Sequence, residues 1–117
     1  MILKHMLHHS ETLDRAFHAL ADPGRRWMVD RLTRGPASVS ELAQPLDMSM
    51  SAVVQHLKVL EASGLVRSSK TGRVRTCRVE PDALRAAEGW LTARRLEWEQ
   101  RLDRLGDYLA TTDGDDQ

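Results

Sequence analysis

Gln55 carries an amide donor and acceptor side by side, the pair that matches the major-groove edge of adenine. Ser51 can bond a base or a phosphate, Val54 can meet a thymine methyl, and Lys58 brings a point charge suited to phosphate. His56 leaves two readings open, a ring hydrogen-bonded inside the fold or a contact to a nucleic-acid backbone. Arg73 and Arg75 alternate onto one face of an extended segment, where they would straddle phosphates or enter a minor groove. The competing reading for these arginines is an edge strand blunted by charge against aggregation.

Other chemistry is sparse. His5, His8 and His9 cluster in the opening MILKHMLHHSE, but a flexible end supplies no fixed metal geometry. Cys77 stands alone, so an internal disulfide is impossible; it is either an ordinary strand residue or a sensor thiol. No Ser-His-Asp or Cys-His arrangement, paired carboxylate motif or Gly-rich phosphate loop occurs at a recognisable spacing. The reading is therefore not an enzyme, with no catalytic residues, no resident metal and no cofactor.

The chain has 117 residues, 41% hydrophobic and 29% charged, which leaves room for one ordinary globular domain. No apolar run approaches the roughly 18 residues a membrane span needs and no basic-then-apolar leader opens the chain, so a cytoplasmic protein is expected. The net charge of zero conceals an asymmetry. Lys and Arg match Asp and Glu at 6 against 6 over residues 1–48, exceed them at 6 against 1 over residues 49–79, and fall to 5 against 10 over residues 80–117. A basic middle points to a polyanionic partner for that segment alone.

The elements that must position these residues follow from local signals. Leu13, Phe17 and Leu20 predict a helix over 12–20. Asp22-Pro23 opens a second helix that runs to Thr33, and Gly35-Pro36 stops it. Ser38 followed by Glu41 is a capping-box signature for a short helix over Val39–Ala43. Ser49 caps a fourth helix over Met50–Ala62, with Gly64 suited to its left-handed end. On a helical wheel Met50, Val53, Leu57 and Leu60 form its buried stripe, and Ser51, Gln55 and Lys58 lie opposite. Leu65–Lys70 and Arg73–Val79 read as strands around a Thr71-Gly72 turn. Glu80-Pro81-Asp82 opens a last helix expected to end near Leu109. Along it Leu84, Leu91, Trp98 and Leu105 recur every seventh residue, joined by Ala87, Leu102 and Leu109. So long an apolar stripe calls for a partner helix, which predicts a dimer interface at Leu84, Leu91, Trp98, Leu102 and Leu105.

The expected architecture is mainly α with a two-stranded β wing, a winged helix-turn-helix. Residues 1–11 are expected as a flexible tail, 12–109 as a DNA-binding and dimerisation domain, and 110–117 as a disordered acidic tail. The stretches ALADPGRRWMVDRL (19–32), SELAQPLDMSMSAVVQHLKVLEASGLV (40–66) and TGRVRTCRVEPDAL (71–84) resemble the ArsR/SmtB group of bacterial winged-helix repressors. That resemblance covers residues 12–109 and implies a homodimer, joined through its first and last helices, that represses transcription from a palindromic site on double-stranded DNA. The chain departs from metal-sensing members: VSELAQPL lacks the Cys-x-Cys motif, and the last helix lacks histidine. The resemblance is therefore to the metal-independent branch, and it carries no effector identity. Two alternatives remain: a ligand- or metal-responsive derepressor on the same scaffold, and a winged-helix protein-interaction module without DNA function.

Overall fold

Helix starts follow the local capping chemistry. In the computed structural model, which describes the backbone of residues 2–115 and the side chains of residues 11–112, the elements are α1 (Ile2–Leu20), α2 (Pro23–Leu32), β1 (Ala37–Ser38), α3 (Val39–Ala43), α4 (Met50–Ala62), β2 (Val66–Thr71), β3 (Val74–Val79) and α5 (Pro81–Asp115). The Asp22 carboxylate accepts the Arg25 backbone N–H at 3.1 Å, and Pro23 fills the first turn of α2, where no backbone donor is needed. Ser38 and Glu41 close a reciprocal capping box on α3, and the Ser49 hydroxyl accepts the Ala52 N–H at the start of α4. Beyond the end of α4, Gly64 takes a φ of +82°, a left-handed conformation that costs glycine no Cβ clash.

Both terminal helices are longer than their local signals indicate. Helix α1 begins at Ile2 rather than Thr12. Helix α5 continues to Asp115 rather than ending near Leu109. The side chains of His5, His8 and His9 lie outside the described ones.

The sheet has three antiparallel strands in the order β1-β3-β2, one more than the expected wing. The added strand is only two residues, with Ala37 opposite Cys77 and Ser38 opposite Thr76, too short for any periodicity to mark. The β2-β3 hairpin pairs Thr71 with Val74, so the turn is Gly72-Arg73 rather than Thr71-Gly72. Gly72 has φ +63° and no non-glycine residue among the described ones has positive φ, the pattern of a type II′ turn with glycine first. Arg73 consequently sits at the hairpin tip and not within the strand.

The chain divides into two compact units, Met1–Ala87 and Glu88–Gln117. In the first, Met28 and Leu32 of α2, Leu42 of α3, Val53 and Leu60 of α4, and Leu65 beside the sheet are all buried in one cluster. Cys77 is buried in the same cluster, so it belongs to the core and not to an exposed wing surface. Met50 departs from the wheel and is 51% exposed. As the first helical residue its side chain leans back past the end of the packed turn. Leu84, expected on the dimer stripe, packs partly against this core.

The second unit is the remainder of α5. Its ion pairs run along the helix, Arg95 to Glu99 at 2.9 Å and Arg101 to Glu97 at 2.7 Å, and the Arg94 guanidinium lies 5.2 Å from the Trp90 ring centre. Leu91, Trp98, Leu102 and Leu105 are all exposed, Trp98 by 60%. No helix among the described residues is long and apolar enough to cross a membrane.

Candidate nucleic-acid interface

Burial on α4 splits its two faces. Val53, Leu57 and Leu60 are in the core, which leaves Ser51, Val54, Gln55 and Lys58 exposed on the other side. These side chains start in the first turn after the Ser49 cap, so the small and polar end of the helix is its N-terminal end.

Between α4 and the hairpin lies a groove of about 470 Å³, lined by Val39, Val54, Leu57 and Cys77 on its apolar side and by Lys58, Glu61, Lys70, Arg73 and Arg75 around them. The strand register builds it. Cross-strand partners share a face, so Val66 with Val79, Ser68 with Cys77 and Lys70 with Arg75 point the same way. Near the core this face is apolar and at the tip it is cationic. Arg73 and Arg75 thus line one groove, with Lys58 facing them from the helix.

The basic residues of 49–79 are not equivalent. The Arg67 guanidinium is 3.0 Å from Glu80, on the face away from the groove. Arg75 donates to the Ser68 hydroxyl at 2.8 Å, and that hydroxyl donates to Glu61, which engages the groove's carboxylate. The side chains of Lys58, Lys70, Arg73 and Arg78 make no ion pair or hydrogen bond among the described residues. Three of these unpaired cations, Lys58, Lys70 and Arg73, surround the groove. Lys70 was not singled out by the sequence; only the turn at Gly72-Arg73 puts it opposite Arg75.

His56 is half-buried, with a side chain 23% exposed. Its Nδ1 lies 3.3 Å from Arg25 Nη1 and 3.9 Å from Asp22 Oδ2. The Arg25 backbone N–H, helped by the nearby His56 and Arg25 side chains, holds the Asp22 carboxyl below the ordinary aspartate range against the opposing effect of burial. The Arg25 side chain also donates to the carbonyls of Ala19 at 2.7 Å and His18 at 3.1 Å. No sequence signal points to this cluster, since Arg25 and His56 are 31 residues apart. Burial, reinforced by Glu61, pushes the Cys77 thiol up and keeps it protonated, the reverse of what a reactive thiolate needs.

A helix-turn-helix domain model matches residues 20–69, the span from the end of α1 through most of β2. The HTH-type transcriptional regulator Rv2034 of Mycobacterium tuberculosis is 41% identical over 98 residues, 80% of this chain and 92% of that protein. A crystal structure of an ArsR family transcriptional regulator, RHA00566, is 49% identical with a TM-score of 0.73, covering 77% of this chain and 93% of the other. The chain belongs to the ArsR family of winged helix-turn-helix transcriptional regulators. A further relative of this ArsR-family chain, the HTH-type transcriptional repressor SmtB of Mycobacterium tuberculosis, is 39% identical over 66 residues, 54% of this chain and 49% of that protein. The family is one of DNA-binding regulators and not of enzymes. No group of three or more His, Cys, Asp or Glu among the described residues is placed to hold a metal ion.

Proposed function

We propose that this chain is a cytoplasmic repressor that binds a palindromic operator as a homodimer. Helix α4 lies in the major groove, with Ser51, Val54 and Gln55 toward base edges and Lys58 on phosphate. Arg73 and Arg75 reach the flanking backbone, joined by Lys70. The observation that carries this reading is the groove between α4 and the hairpin, where three unpaired cations stand beside an exposed polar helix face. Unpaired cations at one edge offer counterion release to a polyanion, whereas the charge-blunted strand needs no such convergence. The exposed stripe of Leu91, Trp98, Leu102 and Leu105 supports the dimer, because one helix cannot cover its own apolar face.

Two substitutions test it on a duplex selected from a random-sequence pool. Gln55→Ala is expected to cost about 1–3 kcal/mol per half-site on the selected duplex and to relax base preference, while scarcely affecting random DNA. Lys58→Ala weakens both DNAs alike and lowers the slope of log affinity against log salt by about one unit per phosphate lost, about two for a dimer. Equal weakening of both DNAs by Gln55→Ala, with base preference unchanged, would mean that α4 is oriented differently. The proposal includes independence from divalent metal. Zinc added to a chain lacking residues 1–9 should leave DNA affinity unaltered, and a loss of about tenfold would restore the metal-sensing reading.

A further inference from the structure

His56 has one ring nitrogen turned inward and one outward. A guanidinium carries donors only, so where Arg25 Nη1 meets Nδ1, at 3.3 Å, the ring nitrogen is the acceptor. A neutral imidazole that accepts at Nδ1 keeps its proton on Nε2. The competing partner for Nδ1, Asp22 Oδ2, is 3.9 Å away and already accepts the Arg25 backbone N–H. Nε2 makes no hydrogen bond among the described residues, yet no buried side-chain nitrogen or oxygen there lacks a partner. Nε2 therefore reaches solvent. It sits beside Gly24, where a Cβ would come within 3.8 Å of it.

Arg25 holds more than the ring. Its Nε and Nη2 donate to Ala19 and His18, so a single rigid fork joins the last turn of α1 to the middle of α4. We propose that Arg25 is a positioning residue for DNA binding, which fixes His56 as an outward Nε2–H donor to a phosphodiester oxygen and fixes the rotation of α4 against α1. The inference rests on the operator-binding reading. It also joins the two open readings of His56, since Nδ1 is structural and Nε2 faces the backbone of the DNA.

The test uses the full chain with ¹⁵N-labelled histidine in alkaline buffer, where long-range ¹H–¹⁵N correlations report which ring nitrogen holds the proton. The wild type is expected to show His56 in the Nε2–H form, and Arg25→Ala a mixture of both forms. On mixed-sequence duplex DNA, Arg25→Ala and His56→Ala should each bind more weakly, His56→Ala by about tenfold, and the double variant no more weakly than the weaker of the two single variants. His56→Gln, which keeps an outward donor, should bind better than His56→Ala. Arg25→Lys keeps the charge but cannot serve three acceptors as a planar fork, so it should lose the tautomer preference even if Arg25→Ala fails to fold. An Nδ1–H ring in the wild type, or fully additive losses in the double variant, would overturn the proposal. A wild type that binds no DNA would instead remove the operator reading and the phosphate contact, while the tautomer still decides whether Arg25 holds the ring.

Discussion

Residues 1–87 and residues 88–115 treat their apolar side chains in opposite ways. In the first region Met28, Leu42, Val53, Leu60 and Leu65 are shut off from solvent by neighbours in the same chain. In the second, Leu91, Trp98, Leu102 and Leu105 stand open although their spacing is as regular as that of any core helix. Periodicity marks a face that needs cover; it does not say whose atoms supply it. The first region buries these side chains with its own atoms, whereas the second leaves its stripe open, the face that the proposed dimer would cover.

The sharpest way to break this contrast is a matched pair of truncations. Leu60→Ala empties a fully buried site, so it should cost about 2–5 kcal/mol of folding stability in a denaturant titration. Trp98→Ala should leave the fold of residues 1–87 unaltered and weaken dimerisation by about 3 kcal/mol, read by sedimentation across a concentration series. A wild-type chain that sediments as a monomer at micromolar concentration would remove the dimer, and the open stripe would need another occupant. The smallest effect belongs to the first region alone. Because the Asp22 carboxyl is held below its ordinary range, its contribution to stability is complete above about pH 4 and is lost as pH falls through its lowered folded value. Asp22→Asn keeps a capping oxygen but cannot titrate, so the acid limb of thermal unfolding should become shallower. An unchanged acid limb would mean that the cap acts without its charge.

Much of the first region is legible in its sequence. The bounds of α3 and α4 follow from Ser38 with Glu41 and from Ser49, because a cap is settled within one turn of chain. Three of the four wheel positions on α4 are buried, and the fourth, Met50, is not, because it stands where the helix begins. The exposed residues of α4 were equally readable, as they are the complement of its buried stripe. The groove was not, since Lys70 enters it only through the register set by Gly72.

Where most helices start, which side of α4 packs and the basic charge of the middle of the chain are all readable locally, because each depends on residues within a few turns of one another. Tertiary structure alone decided the third strand, the burial of Cys77 and the bridge from Arg25 to His56. Strand β1 exists only because Ala37 meets Cys77, and His56 Nδ1 meets a guanidinium 31 residues away. Such contacts are specified by the packing of separate elements, and nothing in the local order of residues encodes their distance or direction.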